Sequence, residues 1–538
     1  MRPAETSFAR WGPRGPAEPL RAIVVGSGIG GSAAAALLAH AGIPTTLVEK
    51  NRRLGGSCAG YDKQGFRIDI GTHMFCRGPV GPIGEVLRRV GRDGAIDFRR
   101  THDIAEVRVV DRTRSGEILR VTVPAELYRM PRFVWEGARA LGLTAREVAR
   151  VSRMFAHILS MSPDEIDSWN DRTVEELVSR YTDHGPTIGM FAFLLGLYFI
   201  LPYWEVSAGE AVWSFQNMVR DNWLSYPMGG SRAVPETYCK IAREHGAEVR
   251  TGCAVRRILV ERGEVRGVEL VDGTTLGARI VVSTSSLKTT VGRLVGEEHF
   301  PGAYVDRVRA IRGSYIAVQA KIGLKRKLVS AGAIVGGVGA DVDLLRMSTD
   351  DIKATYANVA TGRVPAVVPY YCPVPTNFDP GLAPPGCQLL TVCAVAPTSD
   401  IPLVDPGPEW EEAMLRTMRL VVPGLEDEAL FIDRFSVPFI ERWIGKELGP
   451  AVSTGQTPGQ VADKRPKVWT PVRGLYVAGC AAGARGVGTE LAAASAIECV
   501  DRILADLGRE PPAARPAGAL DDATARLFAS VAWATRAS

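Results

Sequence analysis

At 538 residues the chain has room for about two to four domains of roughly 150 residues, and its 46% hydrophobic and 23% charged content suits a globular protein with a sizeable core. Its 64 Lys and Arg exceed 59 Asp and Glu by 5, without a long basic run or a nucleic-acid motif, so no nucleic-acid partner is expected. The nine cysteines (58, 76, 239, 253, 372, 387, 393, 480 and 499) form no C-x-x-C or zinc spacing, which disfavours a disulfide framework and a metal site and points to reduced thiols in the cytoplasm.

Met1 to Pro19 is rich in Pro, Arg and Ala, lacks the apolar core of a signal peptide, and reads as a flexible lead-in. An apolar strand then runs into Gly26-Ser27-Gly28-Ile29-Gly30-Gly31, where Gly26, Gly28 and Gly31 have G-x-G-x-x-G spacing. An alanine-rich helix, Ser32 to Ala41, and a second strand, Thr45 to Glu49, follow. This is the pattern of a dinucleotide-binding βαβ unit. The first glycine permits the tight turn, the second admits a pyrophosphate to the backbone, and the third lets helix and strand pack closely. Glu49, eighteen positions after Gly31, is placed to bind a ribose hydroxyl, and its charge argues against a 2′-phosphate.

Lys50-Asn51-Arg52-Arg53-Leu54-Gly55-Gly56-Ser57 comes next, with a second glycine pair that an NAD-only Rossmann domain does not need. Further on, Thr144-x-x-Glu147 and Thr173-x-x-Glu176 are capping boxes opening helices. Ile188 to Leu201 is a charge-free apolar run of fourteen residues, too short to span a bilayer comfortably. It reads as a core helix, with membrane contact or an apolar channel as the rival readings. Residues 198–226 are dense in aromatics. Gly229-Gly230-Ser231 precedes a helix over Arg232 to Glu244, a strand over Glu248 to Cys253, a ribbon of Val255 to Val260 with Val265 to Leu270, and a strand over Arg279 to Ser283. Residues 313–324 and 387–396 read as strands and 364–386 as a Pro-rich loop. A last strand, Arg473 to Gly479, leads through Gly483, Arg485, Gly486 and Gly488 into a helix from Thr489 to Leu507. No internal repeat is visible.

These segments, together with Phe66-Arg67-Ile68-Asp69-Ile70-Gly71-Thr72-His73, resemble the FAD-dependent phytoene desaturase, carotenoid isomerase and retinol saturase group, relatives of the amine oxidases and Rab GDP-dissociation inhibitors. The resemblance is strongest over 21–75, 226–290 and 473–507. It implies an α/β protein with a discontinuous, glutathione-reductase-like Rossmann FAD-binding domain (20–100, 229–290 and 465–508) and an inserted α+β substrate domain (101–228 and 291–464). Residues 509–538 would form a linker and a terminal helix, Asp521 to Arg536.

Carried over by resemblance, Gly26, Gly28, Gly30 and Gly31 cradle the FAD pyrophosphate, Glu49 binds the adenosine ribose, and Lys50 beside it is counted among the cofactor-binding residues. Arg53, Gly55, Gly56 and Ser57 line the phosphate and ribityl path, and Val255 meets the adenine edge. Gly479, Cys480, Gly488 and Thr489 surround the ribityl chain and ring, with the helix N-terminus aimed at flavin N1–C2=O. Many relatives carry an acid or small polar residue where this chain has Cys480, and a thiol is a poor hydrogen-bond partner. His73 is the candidate for orienting substrate or moving a proton, against a turn histidine bonded to backbone. Arg485 is either a stabiliser of anionic flavin or a structural arginine.

The implied activity is FAD-dependent oxidoreduction at a C–C bond of an apolar isoprenoid, terpenoid or carotenoid-like substrate, by hydride transfer to flavin N5. Saturation or isomerisation would use the same site. With no second complete G-x-G-x-x-G, electrons are expected to pass to a quinone, oxygen or a protein. The rival functions are a flavin amine oxidase and a non-catalytic prenyl-binding escort protein. Peripheral contact at the inner membrane face and an oligomeric assembly are both left open.

Overall fold

The computed structural model describes residues 20–72, 74–101, 103–111, 117–124, 135–139, 142–336, 348–360, 363–364, 368–398, 407–435, 437–445 and 450–512. In chain order the elements that build the site are β1 (Ala22–Val25), α1 (Ile29–His40), β2 (Thr45–Glu49), α2 (Ala145–Ser160), α3 (Gly185–Phe199), α4 (Ala208–Asp221) and α5 (Ala233–Glu244). They continue with β3 (Glu248–Thr251), β4 (Ile280–Ser283), β5 (Tyr315–Leu324), β6 (Gln388–Thr398), α6 (Val437–Ile444), β7 (Leu475–Val477) and α7 (Gly488–Asp506).

Five short strands make one parallel sheet in the order β7-β4-β1-β2-β3. The inner strands β1 and β4 are buried on both faces, as a sheet covered on both sides requires, while edge strand β3, Glu-Val-Arg-Thr, stays partly exposed. One face holds α1, α5 and α7. All of α1 except His40 is buried, so its alanines serve as spacers that let α5 and α7 close against it. The opposite face is covered by the ribbon Val255–Glu261 with Glu264–Leu270 and by residues 287–308. The chain leaves β1 to β2 on one side and β4 on the other. The crevice beyond the carboxyl ends of β1 and β4 is thus the topological switch point, where open α/β sheets take ligands.

A second, seven-stranded sheet has the order Ala429–Phe435, β5, β6, Tyr370–Pro373, Ala333–Gly336, Asp103–Asp111, Glu117–Pro124. All its pairings are antiparallel except that of Ala333–Gly336 with Asp103–Asp111. Helices α2, α3 and α4 share one core with it.

Several boundaries shift for physical reasons. Helix α1 starts at Ile29, three residues before Ser32, because Gly30 and Gly31 lie inside its first turn. The Pro-rich stretch 364–386 contains a strand, Tyr370–Pro373, whose Tyr-Tyr-Cys run suits a pleated surface and whose proline closes it. Thr173 and Glu176 make the reciprocal capping box, whereas Thr144 accepts from the Glu147 amide. The apolar run becomes α3, which stops where Ile200 turns left-handed (φ 53°). No helix among the described residues is long and apolar enough to cross a membrane. Residues 521–536, expected as a helix, lie outside the described residues.

Leu38 is fully buried where α1 meets its neighbours. Leu38→Ala is expected to cost about 2–5 kcal/mol in urea unfolding, with unchanged secondary structure by circular dichroism.

Candidate functional site

A cavity of about 2280 Å³ begins at the switch point and continues between the second sheet and helices α2, α3 and α4. Its first end is made of backbone. Gly26 closes the turn after β1 with φ 98°, which favours glycine, and its amide donates to Val48 O. Gly31 packs so tightly on the Gly26 carbonyl that a methyl group could not fit. Gly28 differs from both. Its φ of −59° suits any residue, and a methyl there would meet no protein atom within 4 Å. A side chain at 28 would project only into the cavity, so neither conformation nor packing explains this glycine. Close approach of a ligand does. That is the fit expected for a dinucleotide pyrophosphate at the N-terminus of α1.

Glu49, 4% exposed at the end of β2, is held by three donors. Its Oε2 accepts from the Ser27 amide (2.9 Å) and hydroxyl (2.7 Å), and its Oε1 accepts from the Asn51 amide (2.8 Å). The Ser27 hydroxyl also accepts from the Gly55 amide at 2.9 Å. One serine thereby ties the acid to both glycine loops. Lone-pair capacity remains on the carboxylate for ribose hydroxyls. Lys50, Gly55, Gly56, Ser57 and Val255 line the same end.

At the middle of the cavity stand Gly479, Cys480, Gly488 and Thr489. The Gly479 amide donates to Ser495 Oγ (3.0 Å), and the Cys480 thiol donates to the Gly488 carbonyl (3.2 Å). The thiol thus braces the turn from within. Arg465, 3% exposed, donates to the carbonyls of Cys480 (2.8 Å) and Gly483 (2.8 Å). Glu490 accepts from the Cys76 amide (2.8 Å) and the Arg77 amide (3.2 Å), while its other oxygen accepts from the Thr489 hydroxyl (2.8 Å). Loop 74–77 is thereby pinned to the start of α7. Gln319 enters the wall from β5, and behind it the fully buried Lys321 donates to its side-chain oxygen at 2.8 Å. Burial pushes the Lys321 ammonium down to about 8. Tyr198, Tyr371 and Cys76 also line this region, and burial raises all three well above their ordinary values. At neutral pH they are protonated donors, not bases.

The far end is apolar. Phe155 and Val151 of α2, Phe191 and Leu195 of α3, and Phe215 of α4 line it, with the Phe155 ring packed on those of Phe191 (5.6 Å between centroids) and Phe215 (5.9 Å). Among the described lining residues between 137 and 224 none is charged.

The profile of flavin containing amine oxidoreductases matches residues 29–504. The chain belongs to that family. It is an FAD-dependent oxidoreductase. It is 26% identical over 461 residues to a zeta-carotene-forming phytoene desaturase of Myxococcus xanthus, covering 79% of this chain and 82% of that one. Against a chloroplastic prolycopene isomerase of Daucus carota the identity is 22% over 524 residues, 91% of this chain and 80% of the other. A solved oxidoreductase of Methanosarcina mazei superposes with a TM-score of 0.67 at 19% identity, over 89% of this chain and 99% of that one, and so shares the fold.

Of the expected flavoprotein site residues, thirteen stand in the cavity wall: Gly26, Gly28, Gly30, Glu49, Lys50, Gly55, Gly56, Ser57, Val255, Gly479, Cys480, Gly488 and Thr489. Gly31 acts from behind, in the packing contact above. Arg53 is a correction, because it lies exposed outside this wall and donates to the Gly60 carbonyl at 2.7 Å. Of the two readings of Arg485 the contacts fit the structural one: it also lies outside the wall, its guanidinium engaged by buried Glu210 (3.1 Å), Asp167 (2.8 Å) and Asn170 (2.9 Å). The Trp213 ring lies 5.5 Å away. These contacts tie α4 to the 483–488 turn and leave Arg485 a structural group. His73 lies outside the described residues. Ser27, Arg465, Lys321 with Gln319, and Glu490 escaped the sequence reading. Only Ser27, inside the glycine motif, carried a local signal.

Gly28→Val is expected to fold with an unchanged apoprotein melting temperature yet bind no flavin. Gly31→Val should lose flavin and about 2 kcal/mol or more of stability, because its side chain meets backbone. Thermal melts with flavin absorbance separate the two; a fully yellow Gly28→Val protein contradicts the assignment.

Proposed function

We propose that the protein transfers hydrogen at a carbon–carbon bond of an apolar, isoprenoid-like substrate, with desaturation as the forward reaction. The observation that carries this reading is the uncharged wall from α2 to α4, continuous with the FAD cradle. A charged substrate group placed there would lose its hydration without gaining a partner. The relatives named phytoene desaturase and prolycopene isomerase support the same substrate class.

In this reading the two glycine loops and Glu49 anchor the cofactor, and the Gly479–Thr489 turn places its reactive ring at the junction with the apolar wall. FAD supplies hydride acceptance, which no side chain offers. The helices exclude water and align the substrate chain. Gln319, fixed by Lys321, offers an amide at the junction. Tyr198, Tyr371 and Cys76, held protonated by burial, do not serve as the base. The substrate proton therefore leaves through another group, and His73 is our candidate. Electrons then pass to a quinone, oxygen or a protein. Amine oxidation would call for a free counter-ion beside the ring. Among the described residues that line the wall from α2 to α4 none is charged, and Glu490, at the start of α7, is already bonded to two amides and a hydroxyl that hold loop 74–77 in place.

We place the cofactor half at residues 20–100, 229–311 and 465–508, moving one boundary from 290 because residues 287–308 pack beneath the parallel sheet. The remainder forms the substrate half. Leu194 of α3 lines the cavity and is 49% exposed, which supports entry of substrate from an apolar phase such as a membrane surface.

Anaerobic mixing of oxidised holoprotein with apolar polyenes and terpenes, against a set of primary amines, tests the proposal. Flavin bleaching by the former and none by the latter is expected; bleaching by amines alone contradicts it. Phe191→Glu should raise the half-saturating polyene concentration by about tenfold or more, since it places a charge in the wall.

A further inference from the structure

Helix α6 comes from the second half of the chain yet lies against the first glycine loops. Phe435, Phe439 and Trp443 follow one another at four-residue spacing, with ring centroids 4.9 Å and 6.0 Å apart. This ladder and Ile440 pack on Ala59 and Ile70, just past the second glycine pair. Three hydrogen bonds then fasten its last turn. The Trp443 indole N–H donates to the Gly56 carbonyl (3.3 Å), the Asn51 side-chain amide donates to the Trp443 carbonyl (3.0 Å), and Lys50 Nζ donates to the Arg442 carbonyl (2.5 Å). Glu441, Arg442, Trp443, Ile444 and Gly445 all line the cavity at its nucleotide end.

A βαβ cradle ordinarily leaves the pyrophosphate crevice open along the strand ends. Here the crevice has an outer wall, and the residues gripping that wall are themselves cradle residues or their neighbours. Asn51 donates its backbone amide to Glu49 and its side chain to Trp443. Gly56, whose carbonyl takes the indole proton, lies against Gly28: a methyl on it would sit 3.3 Å from the Gly28 Cα. Docking of α6 therefore fixes the same backbone that faces the ligand.

We propose that the last turn of α6, Glu441 to Gly445, is part of the FAD site and a strap across it, and that FAD leaves only when this turn undocks. The proposal rests on FAD occupying the cradle and not on the substrate class. It assigns cofactor retention to Trp443 on the strap and to Lys50 and Asn51, which grip the strap from the end of β2.

The test is the rate of FAD release from holoprotein after dilution, followed by the rise in free-flavin fluorescence, with no substrate present. Trp443→Ala should release FAD at least about tenfold faster, because a ring contact and a hydrogen bond are lost together. Trp443→Phe, which keeps the ring and loses the N–H, should fall between. Asn51→Ala removes one anchor without opening a hole in the core and carries the same prediction should Trp443→Ala fail to fold. Release within twofold of the parent protein in the folded variants overturns the strap. Because no substrate enters the measurement, a failure of the polyene assignment leaves this result unaffected.

Discussion

Three backbone segments approach one another here with no side chain between them, and the rest of the site depends on that contact. A methyl added to Gly30 would lie 2.8 Å from the Gly479 Cα, and one added to Gly56 would lie 3.3 Å from the Gly28 Cα. Residues near 30, 55 and 480 are thus brought within van der Waals reach although they are as much as 450 residues apart in sequence. Such proximity is a matter of steric exclusion more than attraction. It forms because α1 is lined with alanines and can sink between α5 and α7, which sets the N-terminus of α1 at the switch point of the parallel sheet. The positive end of α1 then faces the space opposite Gly28, the position expected for a pyrophosphate.

Polar groups around this contact are held by one another. Glu49, Ser27 and Gly55 form one network, and Glu490, Thr489 and the 76–77 amides form another. Buried networks of this kind are rigid when every member has a partner. The consequence for chemistry is that the junction offers a hydrogen-bonded carboxylate, protonated tyrosines, a thiol and an amide, and the described wall beyond from α2 to α4 is uncharged. On the proposed reading the selection is against charge. An elongated neutral substrate meets no desolvation penalty along the wall, while an ammonium group would meet one at every depth.

What was legible in the sequence was local. Gly26, Gly28, Gly31 and Glu49 declare themselves by spacing inside a single βαβ unit, and the Gly55-Gly56 pair and the Gly486–Gly488 turn extend the pattern. The strands 315–324 and 388–398 show as β-branched and apolar runs close to their observed bounds. Contacts made across long separations left no such mark. Arg465 reads as an ordinary basic residue until its burial beneath the 480–483 carbonyls is seen, and Arg485 reads equally as a flavin neighbour or a structural arginine until Glu210 is found beside it. Trp443 is 387 residues from the carbonyl it binds. Lys321 sits in an apolar strand pattern as an anomaly whose meaning, the fixing of Gln319, is purely tertiary.

The central claim is that one continuous cavity joins a backbone cradle for FAD to an uncharged substrate wall. The most direct measurement is a crystal structure of the holoprotein with a long apolar polyene bound. The account predicts the FAD pyrophosphate against Gly28, the flavin ring beside Gly488, and the polyene running from that ring between α2, α3 and α4. A polyene bound elsewhere, with those helices closed on each other beyond the flavin, would contradict it.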